Sequence, residues 1–369
     1  MNVLALNCGS SSLKFGLYQV GDQSVECLCE EDWETSGADA QISGAHDLLQ
    51  KVEEKIRPLS GGAAVDAVGH RLVHGGPALG RHCRIERADL PRLTAAVPFA
   101  PLHLPAALAI VGAAMEQFSS QPHVACFDTT FHWSLPALAQ TLPLPETLRS
   151  QGIRRYGFHG LSCESIVHQL GADLPRDLIV AHLGNGASVT AVQHGKSIDT
   201  SMGMTPAGGM PMSSRSGDID PGVLVYLMRE MSYDADRLES LINHESGLKG
   251  ISGLSGDLRA LHRAADASPS ARLALDCFAA AVAKQIAAMI TSLGGLDAIA
   301  FTGGIGQHDA AMRAAIIRRL AWLGIFIDDT RNVSALSDVQ RGDSRCRILV
   351  MESREDEQIA RIAGSMTGA

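Results

Sequence analysis

Two widely separated stretches of the chain read as one folding unit used twice. "NVLALNCGSSSLKFGLYQV", from Asn2 to Val20, is an apolar run, a glycine-serine turn and a second apolar run, which predicts a strand hairpin. "DLIVAHLGNGASVTAVQHGKSIDTS", from Asp177 to Ser201, repeats the plan and adds a third strand after "QHGKS". A unit that recurs at such a distance implies a duplicated fold. At 369 residues the chain exceeds what one hydrophobic core usually serves, so each copy has the length for its own core.

The segments between alternate in the α/β manner. Leu102 to Phe118 is an amphipathic helix with Pro105 near its start, and "HVACFD" is a strand ending at Asp128. Pro136, Pro143 and Pro145 then interrupt regular structure and mark a domain boundary. "IDPGVLVYLMREM" places Asp220 as N-cap and Pro221 at the first helical position. "LDAIAFTGGIG" is a buried strand entering a glycine turn, followed by the helix "DAAMRAAIIRRLAWLG", the strand "CRILVM" and a closing helix "EDEQIARIAG".

Several function classes drop out on composition. A net charge of −9 argues against a nucleic-acid scaffold, so any anionic ligand must be met by local cations. The eight cysteines are scattered with no paired CxxC, which favours reduced thiols over a zinc site. Arg272 to Leu293 is apolar, but Asp276, Lys284 and Gln285 inside it predict a packed helix, not a membrane span. The N-terminus lacks a basic segment and a long apolar run, so a cytoplasmic protein is expected.

Glycine-rich turns follow strands in "NCGSSSLK", "HLGNGAS" and "FTGGIG". Such turns let backbone N–H groups approach phosphate oxygens, because no Cβ stands in the way. "QHGKS" is not a P-loop, since Thr190 stands where the motif needs glycine, and no GxGxxG follows a strand. Arg71 lies in the apolar strand of "GHRLVHGG", and a buried arginine demands an anion. That anion is either a ligand or an internal partner such as Asp128; Arg215 in "SSRSGDIDPG" raises the same question. Two such arginines, with Asp128 and His159 ending other segments, suit phosphoryl transfer to a small anion.

The ordered set "NCGSSSLKF", "GHRLVHGG", "FDTTFH", "RRYGFHGLS", "HLGNGAS", "TSMGMTP", "SRSGDIDPG", "GISGLSGDLR" and "FTGGIG" resembles acetate kinases over nearly the whole chain. The resemblance implies an α/β fold of two duplicated ribonuclease-H-like domains flanking an active-site cleft. It places residues 1–130 with the terminal helix, about 357–369, in one domain and residues 131–356 in the other. It implies reversible in-line transfer of the ATP γ-phosphoryl group to acetate, with magnesium or alternatively manganese. A cytoplasmic homodimer is implied, without nucleic-acid or membrane partners. A propionate or butyrate kinase is the near alternative, and an ATP-driven binding protein of the same fold a more distant one.

Carried over by motif, Arg71, Asp128, His159 and Arg215 would be catalytic, with His159 donating to phosphoryl oxygens. Asn7 and the Ser10–Ser12 turn, with Lys14 beyond it, would face the phosphates and metal. His182, Asn185 and Gly186 would form the phosphate loop. Asp257, Leu258 and Arg259 of "GDLR", with Gly304, Ile305 and Gly306 of "GGIG", would bind adenosine. Val73, Leu102, Phe158 and Pro206 would line the acid pocket beside Arg71. Glu355 is selected as the metal-linked glutamate by spacing back from Ile359 and Ala360, since "SREDE" replaces the family's threonine, asparagine and two glutamates. Gln307 and His308 replace a glutamate and an asparagine after "FTGGIG", and the chain is short between Val20 and Val68.

Overall fold

The structure is a computed structural model that describes residues 1–9, 12–22, 24–34, 42–59, 64–334 and 337–368. Ser10 and Ser11 of the expected phosphate turn lie outside the described residues, as does Ala369.

The first sheet holds β1 (Asn2–Cys8), β2 (Ser12–Val20), β3 (Val25–Glu34), β4 (Ala67–Leu72), β5 (Cys83–Ile85) and β6 (His123–Phe127), in the order β3-β2-β1-β4-β6-β5. β1, β2 and β3 form an antiparallel meander, and β4 and β6 extend it in parallel beyond β1. The second sheet holds β7 (Asp177–Leu183), β8 (Ala187–Gln193), β9 (Lys196–Thr200), β10 (Ala298–Thr302) and β11 (Arg347–Val350). Its order, read from the edge, is β9-β8-β7-β10-β11, with the same meander and the same parallel extension. The duplication expected from the two hairpin units is therefore present strand for strand, with β5 as the one addition, and each half is ribonuclease-H-like.

Burial follows from the topology. The parallel strands β6 and β10 are buried at every position, because both faces of such strands are covered. On β1, Leu4 and Leu6 face the layer of α1 (Ala45–Ile56) and α2 (Leu104–Gln117), while Val3 and Ala5 face the opposite layer. β3 had no forecast. It is an acidic edge strand, "VECLCEEDWE", only half covered, so its apolar signal is weak.

Six further helices matter for the site: α3 (Gly160–Leu170), α4 (Pro221–Glu230), α5 (Leu258–Ala264), α6 (Pro269–Leu293), α7 (Gly303–His308) and α8 (Glu355–Thr367). α6 is long and apolar enough to cross a membrane by length and composition. It instead lays Ala274, Phe278, Val282, Ile286 and Met289 into the core beneath β7, β8 and β9. α8 returns the chain to the first half, packing on β1, β2, β4 and β6. α3 touches both α8 and β7 and so ties the halves together.

One element differs from its forecast. "GGIGQH" is helical rather than a turn: Gly303, at φ +76°, completes the change of direction in a single residue, and α7 begins at once.

Candidate active site

Arg71 near the end of β4 and Asp128 just after β6 sit side by side, because those strands are parallel neighbours. The guanidinium Nη2 donates to Asp128 Oδ2 at 2.7 Å, and Nε lies 3.2 Å from both carboxylate oxygens. Nη1 donates to Asn7 Oδ1 at 3.1 Å. The internal partner foreseen for Arg71 is thus real. Burial opposes the charge on Arg71, yet the Asp128 and Glu355 carboxylates carry its pKa above the ordinary value. Of five guanidinium N–H bonds these contacts engage three, leaving two for a ligand.

His159 stands at the turn into α3 with φ +57° and ψ +30°, a left-handed conformation unusual for a side-chain-bearing residue. The turn is held from two sides by the 128–132 segment. Gly160 N–H donates to the Asp128 carbonyl at 2.8 Å, and a Cβ on Gly160 would lie 2.2 Å from that oxygen, so only glycine fits. On the other side His132 Nε2 meets the Phe158 carbonyl at 2.9 Å, and its Nδ1 meets Ser197 Oγ on β9 at 2.9 Å. Burial pushes the His132 pKa down to about 4, so the ring is neutral, with Nε2 donating and Nδ1 accepting.

The same logic fixes two rings in the cleft. Burial, then the neighbouring His182 and the Arg71 and Arg215 charges, hold His159 well below the ordinary histidine range. His159 Nδ1 lies 3.0 Å from Ser188 Oγ on β8; with that hydroxyl donating, the proton of the neutral ring sits on Nε2. His182 is stacked on it at 4.1 Å. Ser353 donates to Ser162 Oγ at 2.9 Å, and Ser162 donates on to His182 Nδ1 at 2.8 Å, which puts that ring's proton on Nε2 as well. Two neutral imidazoles therefore present N–H donors to the loop 184–186.

Gly186 marks where the cleft's donors converge. A Cβ there would lie 3.1 Å from His159 Nε2 and 3.3 Å from Arg215 Nη1. Arg215 Nη1 donates to the Pro206 carbonyl at 3.3 Å, and Nη2 donates to His103 Nε2 at 3.1 Å. Burial, then the Arg215 and Arg71 charges, push the His103 pKa down to about 3, so it accepts as a neutral ring. Among the described residues no carboxylate lies within 4 Å of Arg215, and burial with the Arg71 charge lowers its own pKa. Unlike Arg71, Arg215 is a partly buried cation with no counter-charge among the described residues.

Two cavities adjoin at Asn185, next to Gly186. One, about 530 Å³, is lined by Asn7, Lys14, Arg71, His182, Glu355 and Asp356 from both halves of the chain. The other, about 940 Å³, runs past Gly184 and Ser213 to Asp257, Leu258, Arg259 and Ile305. They share Asn185, Gly304 and His308. Asp257 caps α5 and holds the exposed Arg259 side chain in a two-pronged ion pair. Gly306 lies beneath the wall, its carbonyl accepting from the buried Arg313. Lys14 is half exposed and 3.7 Å from Asp32. Val73 and Phe158 are buried, whereas Leu102 and Pro206 line a separate apolar cavity.

At the metal-side corner Asn7 is engaged at both ends, since its Nδ2 donates to Asp356 Oδ1 at 2.7 Å. Glu355 lies 3.9 Å from Arg71. Among the described residues no three His, Cys, Asp or Glu side chains converge. The oxygen donors of Glu355, Asp356 and Asn7 nevertheless fit a magnesium ion, which needs only one or two carboxylates when phosphates and waters complete its shell. Burial pushes the Asp356 carboxyl up to about 7, against the Asn7 hydrogen bond, which lowers it.

Asp356, His103 and the serines Ser162, Ser188 and Ser353 belong to the site but were not singled out by sequence. Asp356 had a signal, because the family pattern carries two consecutive acids there. The serines stand inside the quoted motifs "RRYGFHGLS", "HLGNGAS" and "SREDE", but their part in fixing the rings was not legible there, because the imidazoles and hydroxyl they meet are distant in sequence.

Residues 2–361 match the acetokinase family. Among curated relatives, the chain is 41% identical to the acetate kinase of Gloeobacter violaceus, with 98% of both chains covered. It is 42% identical to that of Deinococcus radiodurans, over 93% of this chain and 90% of the relative. Among solved structures, a propionate kinase from Francisella tularensis superposes with a TM-score of 0.88 at 32% identity over 99% of each chain. Porphyromonas gingivalis acetate kinase superposes with a TM-score of 0.85 at 30% identity over the whole of both.

Proposed function

The chain belongs to the acetokinase family, and from that premise we propose that it is an acetate kinase, transferring the ATP γ-phosphoryl group reversibly to acetate. The observation that carries this is the partly buried Arg215, with no carboxylate partner among the described residues, converging with the neutral His159 Nε2–H at Gly186, in the same chain as the Arg71–Asp128 pair.

Acetate is already ionised at neutral pH, so no general base is required. The obstacle is holding two anions in line. Arg215 supplies an open cation, and Arg71 supplies its two unengaged N–H bonds, with Asp128 and Asn7 fixing the plane of its fork. The acetate oxygen attacks the γ-phosphorus as the bond to the β–γ bridging oxygen breaks, and ADP leaves with that electron pair. Charge then spreads over the equatorial phosphoryl oxygens, where Arg215, His159 Nε2 and His182 Nε2 donate. Neutral imidazoles suit this role, because their protons are fixed by serine partners and need no change of ionisation. Glu355, with Asp356 and Asn7, would hold magnesium, which neutralises phosphate charge when bound. The larger cavity, past Asp257, Leu258, Ile305 and Gly304, has the size for a nucleoside.

We read residues 1–130 with the terminal helix from about 357 to 369 as one domain and 131–356 as the other; the packing of α8 on the first sheet supports this. A homodimer is supported by α4, "PGVLVYLMRE", which has no buried residue although Val223, Tyr226 and Met228 are apolar and about half exposed. The cytoplasm suits eight free cysteines, and the acidic net charge suits the absence of a nucleic-acid partner. Hydroxylamine trapping of acyl phosphate from ATP, magnesium and formate, acetate, propionate or butyrate tests the activity. A preference for acetate is expected. No product from any acid, in folded protein that binds ATP, would refute the reading and favour an ATP-driven binding protein.

A further inference from the structure

β6 delivers Asp128 to the cleft, and N–H groups alternate sides along such a strand. That of Asp128 donates to the Leu72 carbonyl on β4 at 3.0 Å, so that of Phe127 points to the β5 side. There the ladder stops at the pair Cys83 and Ala125, short of Phe127. A covered N–H needs a partner, and His82, the residue before β5, supplies it through a side chain: its Nδ1 accepts from Phe127 N–H at 3.1 Å. With Nδ1 accepting, the ring's proton sits on Nε2, 3.3 Å from both carboxylate oxygens of Glu164 on α3. Gln358 on α8 donates to the same carboxylate at 3.4 Å. The His82 and Glu164 side chains are only 13% and 20% exposed, so water competes little for these bonds. One imidazole thus joins the strand that ends at Asp128, the helix entered from His159 and the helix that begins at Glu355.

We propose that His82 is a positioning residue for the phosphoryl transfer: it sets the backbone at Phe127, and with it the Asp128 carboxylate that orients the Arg71 fork. The proposal rests on the roles read above for Asp128 and Arg71. Successive peptide groups leading into and out of Asp128 are pinned in turn: 126–127 by His82, 127–128 by the Leu72 carbonyl, and 128–129 by Gly160 N–H at 2.8 Å. Only the first of these pins is a side chain, so it alone can be removed without altering the main chain. His82 lines neither of the two cleft cavities, and so it acts through Asp128 and not on a ligand. A carboxylate displaced by a fraction of an ångström turns the guanidinium it holds, and in-line transfer is sensitive to such shifts.

Steady-state kinetics with ATP, magnesium and acetate on single variants of the full-length protein tests this. His82→Ala removes both contacts. His82→Asn keeps the acceptor, since its Oδ1 and the imidazole Nδ1 are both bonded to Cγ, but loses the reach to Glu164. His82→Gln does the reverse, placing an amide N–H as many bonds out as Nε2. His82→Ala is expected to lower kcat about tenfold while the KM for ATP stays within about twofold, because the nucleoside cavity is walled by residues 184–309. His82→Asn is expected to recover most of that kcat, and His82→Gln to stay with His82→Ala. A residue serving stability alone would give variants with wild-type kcat when assayed well below their Tm. That result, or equal kcat in the Asn and Gln variants, or recovery by Gln alone, overturns the proposal; should His82→Ala fail to fold, the other two decide. 15N NMR of the histidine rings, with His82 assigned by its loss in His82→Asn, is expected to show a proton on Nε2 and none on Nδ1. A proton on Nδ1 overturns the Phe127 contact whatever the substrate. No acetyl phosphate from the wild type, with the expected tautomer present, would remove the acetate reading and leave the His82 contact standing.

Discussion

Replacing Arg71 and Arg215 singly by alanine should give the same catalytic defect and unequal effects on stability. Each donates to the transferring group, so each variant is expected to lose on the order of 10²-fold or more in kcat. In the fold they differ. Arg71 is the partner of Asp128, whose carboxylate is buried and contacted through Nε and Nη2. Removing it leaves an unpaired buried charge, which costs about 3–5 kcal/mol. At roughly 2.1 cal/mol/K per residue the unfolding entropy of a 369-residue chain is about 0.8 kcal/mol/K, so Tm should fall by about 5 °C. Arg215 is itself the unpaired charge, and Arg215→Ala removes a cost; its Tm should stay within about 2 °C of the wild type or rise. The double variant Arg71→Ala/Asp128→Asn should recover most of the loss, because it deletes the stranded carboxylate. Sign follows from linkage. An Asp128 carboxyl without Arg71 has a folded pKa above its unfolded value of about 3.9, so the Arg71→Ala defect grows as pH rises and eases as pH falls. Differential scanning calorimetry at one scan rate, between pH 6 and pH 8, reads these shifts. Equal loss of Tm in the two single variants, or a larger loss in Arg215→Ala, would refute the distinction between a paired and an open arginine.

Gly186→Ala should leave Tm nearly unchanged yet lower kcat about tenfold or more, because its Cβ would press on His159 Nε2 and Arg215 Nη1 together; turnover at the wild-type level would show that these donors do not converge on the reacting group. Acid should destabilise the protein through His74, His103 and His132, held at about 4, about 3 and about 4 respectively. The unfolded chain takes up these protons first, so the stability they contribute is present above about pH 6.5 and is lost as pH falls toward 4, about 2 kcal/mol per histidine by pH 5. Asp356, raised to about 7, acts in the opposite direction, one group against three. A Tm that is flat or rising from pH 7 to pH 5 would contradict the buried neutral rings.

The parts of the fold that sequence makes legible are those with a local signal. The β1–β2 and β7–β8–β9 units show because buried strands flank glycine turns, and Asp220 shows because a capping side chain precedes Pro221. β3 has no such signal: it is an edge strand whose acidic exposed positions dilute its apolar ones. In the site, His159 and Arg215 meet at Gly186 and Arg71 pairs with Asp128, whereas Leu102 and Pro206 line a separate cavity and Gly306 lies beneath the wall. What motifs leave open is state. Sequence places His159 at the site, but neither its neutrality nor its tautomer is local; both depend on Ser188 on another strand and on burial. His103 illustrates the same limit, since its meaning lies in a contact with Arg215 across 112 positions.

The two arginines divide the task in a way that follows from their partners. A buried cation held by an internal carboxylate is fixed in place before any ligand arrives, and its remaining N–H bonds have one orientation. A buried cation without a partner has the stronger demand for an anion, and the fold bears its cost until one comes. Arg71 is the first kind, oriented by Asp128 and, through Asn7, by Asp356 on the terminal helix; Arg215 is the second, meeting neutral acceptors at His103, Pro206 and Met212 among the described residues. Placing the oriented cation on the first half and the open one on the second means that an anion in the cleft meets one donor from each half of the chain.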